Sequence, residues 1–348
     1  MDILDCLANL SNDEVFTSPA VVNRMLDTLP EALWSDPNAK FLDPFTKSGV
    51  FLREIAKRLM QGLATAIPDR QARLDHILGQ QLYGIAITQL TALTARRTLY
   101  CNKDTTELEH CLTDVFAQQG NPDGNIYFEP CEHTFVKGRC SYCGATEREF
   151  GAEQRTALEQ HAYLFIHNKN PYKEMQFDVI IGNPPYQMSD GGAQASAKPI
   201  YHLFIEQAIA LNPRYLCMIV PSRWFAGGKG LDDFREKMLN DRRIKEIHDF
   251  PDASEVFPGV EIKGGVNYFL WDKEYKGDCL IRTYEKGECI SALKRPLREE
   301  AADVFIRYNE AIPILRKIQS FGEKSFSELM SSRKPFGIPT NFKGKKEL

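Results

Sequence analysis

Residues 177–186 read FDVIIGNPPY, and this stretch decides the fold. Phe177–Ile181 is an apolar run of the kind a strand buried on both faces of a parallel sheet requires. Asn183-Pro184-Pro185-Tyr186 follows at its carboxyl end, so the strand delivers a rigid turn to the edge of the sheet. The same unit recurs on either side. Upstream, residues 40–43 (KFLD) read as a short strand, Pro44–Gly49 as a turn, and Phe51–Leu63 as an amphipathic helix. Gln81–Ile87 is a second strand with the helix Thr88–Leu99 after it, and His110–Phe116 is expected as a third strand. Downstream come the helix Ile200–Leu211, the strand Tyr215–Val220, the helix Leu231–Leu239, and Ile244–Phe250 and Gly265–Trp271 as the last strands. Strands alternating with helices predict a doubly wound, Rossmann-like α/β sheet, in which ligands bind at the carboxyl ends of the strands.

An N-terminal helix starts at Thr17-Ser18-Pro19 and carries Val21, Val22, Met25, Leu26 and Leu29 on one face. Residues 117–175 interrupt the alternation and read as an insertion. Four segments are therefore expected: 1–116 and 176–275 as the two halves of the sheet domain, 117–175 as the insertion, and 276–348 as the start of a further, incomplete region. Residues 331–348 hold Arg333, Lys334, Lys343, Lys345 and Lys346 against one acid, Glu347. GGAQASAK at 191–198 reads as a flexible loop.

The 348 residues are 43% hydrophobic and 26% charged, with a formal net charge of -4. That excludes a small, strongly basic nucleic-acid-binding module; a surface for nucleic acid would have to be a local patch. MDILDCLANLSNDE carries acids early and lacks the apolar core of a signal peptide, and no run approaches a membrane span. A cytoplasmic protein with no membrane contact is expected.

The turn at 183–186 has a definite chemical capability. Two prolines restrict the backbone, so the Asn183 side-chain oxygen and the Pro184 carbonyl can be aimed at one point. Two acceptors aimed together suit an NH₂ group. An aromatic amine is a poor nucleophile because its lone pair is delocalised, and two strong acceptors favour a tetrahedral nitrogen that localises it. Tyr186 offers a face for a planar base. A lone Asn-Pro pair serves as well to cap a helix; the full tetrapeptide after a buried strand is what singles it out.

Thr17-Ser18-Pro19, then Asp43-Pro44-Phe45, then Asn183-Pro184-Pro185-Tyr186 is an order that resembles the gamma-class adenine-specific DNA methyltransferases of restriction–modification systems. The resemblance covers roughly residues 11–272. It implies transfer of a methyl group from S-adenosylmethionine to the exocyclic amine of a flipped adenine in double-stranded DNA. It also implies the site residues. Asp43, Pro44, Phe45 and Gly49 match the methyl-donor loop, and Phe16 and Thr17 the segment that covers the donor. Asp114 and Phe116 match the segment that contacts the donor's adenine. Asn183, Pro184, Pro185 and Tyr186 form the catalytic motif. Lys47 stands where such loops usually have a small residue. The end of the second strand, Gly84-Ile85-Ala86-Ile87-Thr88, lacks the usual ribose-binding acid and leaves Ile85 and Thr88 at the donor. Modest donor affinity is expected.

Cys131-x-His133-x₆-Cys140-x₂-Cys143 groups three thiols and an imidazole, a set that suits tetrahedral, structural zinc. A chance cluster of reduced thiols is the plainer alternative. Ser222-Arg223-Trp224 with Gly227, Gly228 and Lys229 reads either as a phosphate-touching loop or as a loop around a buried tryptophan. Two rival functions share these residues: a protein glutamine methyltransferase, which also uses Asn-Pro-Pro-Tyr, and a truncated, non-catalytic DNA-binding subunit. A separate recognition or endonuclease partner fits a chain whose recognition region only begins near its end.

Overall fold

The computed structural model describes residues 15–151, 162–188, 198–300, 302, 304–323 and 329–330. Most of the expected 191–198 loop and the basic stretch 331–348 lie outside them. The chain divides into two units, Met1–Arg307 and Tyr308–Leu348.

The first unit is built on one mixed sheet. Its strands are β1 (Phe41–Thr46), β2 (Leu82–Ala86), β3 (Ile126–Tyr127), β6 (Val179–Gly182), β7 (Tyr215–Pro221), β8 (Ile244–Phe250), β9 (Val266–Asp272), β10 (Cys279–Glu285) and β11 (Glu288–Arg295). A separate hairpin holds β4 (Phe135–Val136) and β5 (Arg139–Cys140). The order across the sheet is β11-β10-β8-β9-β7-β6-β1-β2-β3. β3, β2, β1, β6 and β7 run parallel, and β9 is antiparallel to both its neighbours.

Successive residues of the central strands enter different cores, because side chains alternate across a strand. Phe41, Val179, Ile181, Cys217 and Ile219 point into one core with the helices α1 (Pro19–Leu26), α2 (Val50–Gly62) and, after the short α3 (Arg70–His76), α4 (Gln89–Tyr100). Leu42, Ile180, Leu216, Met218 and Val220 point into the other. Beyond the short helices α5 (Val115–Gln118) and α6 (Glu147–Phe150), that second core takes in α7 (Tyr201–Ala210) and α8 (Asp232–Asn240). α1 begins as its sequence predicts: Ser18 caps the Val21 N–H, and Pro19 occupies the first turn, where no N–H is needed. In the second unit, α9 (Ala311–Gln319) is the helix among the described residues.

Two expectations are corrected. Residues 110–116 are not the third strand. His110 takes a left-handed backbone (φ 66°) and the Leu112 N–H turns back to the Tyr100 carbonyl, which ends any extended run. β3 at Ile126–Tyr127 pairs with β2 instead, inside the stretch read as insertion. Nor is the strand ending at Trp271 the last. β10 pairs parallel with β8, and β11 closes the edge as the second arm of a hairpin joined by Lys286 and Gly287, both with positive φ. Its burial is low (mostly exposed residues on β11), which hid the alternation from a reading of hydrophobic pattern. No helix among the described residues is long and apolar enough to cross a membrane.

Candidate active site and metal centre

The carboxyl ends of β1 and β6 are adjacent, and their two motifs meet. Gly182 marks how close they come: a Cβ there would lie 2.7 Å from Asp43 Oδ1 and 2.7 Å from Phe45 Cδ2. Asp43 is buried, and its Oδ1 accepts the Phe45 N–H at 3.1 Å. Burial raises its carboxyl from 3.8 to about 7, against the opposing pull of the Phe45 N–H, Lys47 and Thr46. A buried carboxylate held this way favours a cationic ligand. The turn then passes into α2 through Gly49 (φ 78°), where a Cβ would press on the Ala95 backbone at 3.0–3.1 Å. Only glycine allows that approach.

Lys47 is buried in the same cleft as Asp43. Its ammonium is folded back and donates to the Val15 carbonyl at 3.0 Å. Asn183 donates to the same oxygen at 2.9 Å and to the Thr17 hydroxyl at 3.1 Å. Both hydrogens of its amide are thereby engaged, which fixes the orientation of the group. Its oxygen, Oδ1, is buried and accepts no hydrogen bond among the described residues. Phe16, Thr17, Asp43, Phe45, Gly49 and Asn183 share one narrow cleft. Pro184 and Pro185 are buried beside it, and Tyr186 is half-buried with a buried hydroxyl whose ionisation burial pushes well above the ordinary value, against the opposing pull of the Asn183 side chain. The Tyr186 ring meets Phe257 edge-on at 6.4 Å.

A second, larger cavity, about 620 Å³ of empty space, opens at the end of β2. Ala86–Gln89 form one side. Phe128–Cys131, directly after β3, and Ala162 and Leu164 form the other. Thr88 lines it, but its hydroxyl also caps α4 in a reciprocal pair with Thr91. The β2 end carries no carboxylate, but Glu129 lines the same cavity and accepts from the Tyr127 hydroxyl at 2.6 Å. Ile85 is buried in the strand behind. Pro44 lies within β1. Asp114 and Phe116 line neither cavity: Asp114 precedes α5, and Phe116 packs against Tyr100 at 5.2 Å. Trp224 is fully buried among Phe225, Phe234 and Phe305, so its loop surrounds a core tryptophan.

Beyond β3 the chain forms a metal-competent cluster. His133, Cys140, Cys143 and His167 are all buried, and their ligand atoms lie within 4.8 Å of one another. Cys143 Sγ is 3.4 Å from His133 Nδ1, and Cys140 Sγ is 3.5 Å from His167 Nε2. Zinc–sulfur and zinc–nitrogen bonds of about 2.3 and 2.0 Å at tetrahedral angles give edges of roughly 3.5 Å. The His167 Nδ1–H donates to the Tyr163 carbonyl at 2.8 Å, leaving Nε2 toward the cysteine. Cys131 is outside this group and lines the larger cavity instead. His167 was missed in the sequence because it lies 24 positions past Cys143, beyond any knuckle spacing.

The comparisons agree with this architecture. The family model described as Eco57I restriction-modification methylase matches residues 80–257, which include Asn183–Tyr186. An uncharacterized adenine-specific methylase of Mycoplasma pneumoniae is 42% identical over 306 residues, covering 81% of this chain and 72% of that protein. Among solved structures, a nuclease-deletion mutant of the Type ISP restriction-modification enzyme LlaGI, in complex with a DNA substrate mimic, superposes with a TM-score of 0.52 at 14% identity. It covers 86% of this chain and 32% of that one. The type I restriction-modification methyltransferase subunit from Streptococcus thermophilus superposes with a TM-score of 0.50 at 13% identity, over 93% of this chain and 57% of that one. The chain thus spans about a third to somewhat over half of these solved proteins, which share its fold. The family match over half of the chain and the 42% identical relative establish that this chain belongs to the Eco57I restriction-modification methylase family.

Proposed function

We propose that this chain transfers the methyl group of S-adenosylmethionine to the exocyclic amine of adenine in double-stranded DNA. The observation that carries the reading is the state of Asn183. Both of its amide hydrogens are held, while its oxygen is buried, accepts no hydrogen bond among the described residues and shares a cleft with the Asp43 loop. An orphaned acceptor in a buried site awaits a donor from a ligand.

The donor fits the residues present. The Asp43 carboxylate suits an α-ammonium group, the Gly49 turn admits close backbone approach, and a largely apolar cavity with Thr88 and Glu129 on its walls opens at the end of the neighbouring strand β2. When bound, S-adenosylmethionine supplies an electrophilic methyl group on a sulfonium. The protein's part is then positioning. Asn183 Oδ1 accepts one hydrogen of the amine, and the Pro184 carbonyl is the expected acceptor for the other. Tyr186 provides the stacking face for the extruded base, worth roughly 1–3 kcal/mol against an unstacking cost of a few kcal/mol. The thioether leaves uncharged, so no general acid is required, and alignment supplies much of the rate. The proton lost from the amine passes to solvent.

We also assign zinc to His133, Cys140, Cys143 and His167, as a structural ion closed by four protein ligands. We also propose a separate partner for sequence recognition or cleavage, since one of the similar solved structures is described as the methyltransferase subunit of a type I restriction-modification system. The test is incubation with radiolabelled donor and either unmethylated duplex DNA or a protein extract. Label is expected in DNA; label in protein alone supports the glutamine methyltransferase instead.

A further inference from the structure

We infer that the zinc site is a clamp on the methyl-donor cavity, so that metal and donor bind with positive coupling. The inference rests on the two assignments just made and adds a dependence between them.

The chain leaves the sheet after Tyr127 and returns to it at Val179. Both legs of this excursion wall the cavity at the end of β2. The outgoing leg contributes Phe128, Glu129, Pro130 and Cys131, and the returning leg Ala162 and Leu164. The metal ligands sit immediately beyond these walls. His133 is two residues after Cys131, and His167 is three residues after Leu164. Cys140 ends β5 of the β4–β5 hairpin, and Cys143 lies in the turn directly after it. One ion therefore joins the two legs just beyond the point where they form the cavity.

The legs are unequally held without it. The returning leg is anchored by Phe165, buried edge-on against Phe45 at 5.9 Å and stacked with Phe204 at 6.5 Å. The outgoing leg is held chiefly at its far end: Glu129 and Pro130 are exposed, while Cys131 and His133 are buried and His133 rests on Phe135 and Phe150 at 5.6 Å within the metal cluster's own packing. Loss of the ion frees the end of the leg that carries Glu129. The donor then has to order that wall as it binds, and its affinity falls. Linkage requires the reverse effect: a bound donor holds the wall in the metal-binding arrangement and retains the ion.

The experiment uses the full chain expressed with zinc, and S-adenosylhomocysteine as a donor-site probe that cannot turn over. Metal content is measured by mass spectrometry, probe affinity by calorimetry before and after chelation, and zinc transfer to a chromogenic chelator with and without probe. The expected result is one zinc per chain, an affinity about tenfold weaker after chelation, and a matching shift in the chelator concentration that removes half the zinc. His167→Ala should reproduce the weak state, and His167→Cys, which keeps a ligand there, should restore the coupling. Circular dichroism of the chelated protein checks that the sheet persists. Zinc well below one per chain overturns the metal assignment and this inference together. Zinc bound with no probe binding overturns the donor assignment. Both ligands bound with affinities independent of each other overturns the clamp alone.

Discussion

Asn183 and Lys47 donate to the same main-chain oxygen, that of Val15, at 2.9 and 3.0 Å. The residue of the NPPY turn and the odd residue of the β1 loop are thus tied to one point on the segment that precedes α1. The segment does more than cover the site. With Thr17 it takes both amide hydrogens of Asn183 and leaves Oδ1 without a hydrogen bond among the described residues, the acceptor proposed above for the target amine.

If that orientation matters, removing one anchor should cost turnover. Thr17→Val deletes the hydroxyl that accepts from Asn183. Steady-state kinetics should show kcat down by about tenfold, with the larger part of the loss in kcat rather than in KM for DNA. Stability should fall by about 1 kcal/mol, the usual worth of one hydrogen bond. An unchanged kcat would mean that Asn183 is oriented by other contacts.

Asp43 makes donor binding depend on pH. Its carboxyl titrates near 7, and the ionised form is the one that attracts an ammonium. Affinity should rise as pH increases through about 7 and fall by up to about tenfold per unit below it. Calorimetry near pH 6.5 in two buffers should register proton release on binding. A flat profile from pH 5.5 to 8 would contradict the role.

The same shift has a stability consequence of opposite sense. The folded value lies above the unfolded one of 3.8, so the folded state holds the proton more tightly. Stability is then greatest below pH 3.8 with respect to this group and declines as pH rises to about 7. The cost at pH 8 is up to about 4 kcal/mol. Asp43→Asn should therefore raise Tm at pH 8 while abolishing donor binding, a pair of effects that thermal melts and calorimetry read separately.

The sequence made some of this legible and concealed the rest, for physical reasons. Phe177–Ile181 announced a buried parallel strand because strands covered on both faces are continuously apolar, and β6 stands where that predicts. The cap at Ser18 and the turn at Gly49 follow from local rules, and both hold. β3 has only two residues and sits between polar loops, too short for periodicity to register. His110–Phe116 fails as a strand because the backbone turns left-handed at His110 and enters α5 at Val115, neither of which a short mixed run of side chains announces. His167 joins Cys140 only through the return of the chain, a tertiary fact with no local signature. Glu129 and Thr88, 41 positions apart, line one cavity for the same reason.

Gly182 should tolerate no side chain. Gly182→Ala would place a methyl 2.7 Å from the Asp43 carboxylate and from the Phe45 ring. Overpacking of this kind costs about 1–3 kcal/mol, and here the displaced group is the donor loop. Denaturant melts should show the destabilisation, and titration should show weakened donor binding in the fraction that remains folded.

Tyr186 should act through its ring. Tyr186→Phe, which keeps the stacking face, should leave methylation within about threefold, while Tyr186→Ala should raise KM for DNA by roughly tenfold, as loss of one base stack would. Equal loss in both variants would assign the work to the hydroxyl.

The most direct measurement is mass spectrometry of nucleosides from unmethylated DNA incubated with S-adenosylmethionine and either the wild-type chain or Asn183→Ala. Methyladenine formed by the wild type, and reduced by a factor on the order of 10² or more in the variant with donor binding intact, is the predicted result. Methyladenine formed equally by both would contradict the assignment of Asn183, and no methylated base from a wild type that binds the donor would contradict adenine methylation by this chain.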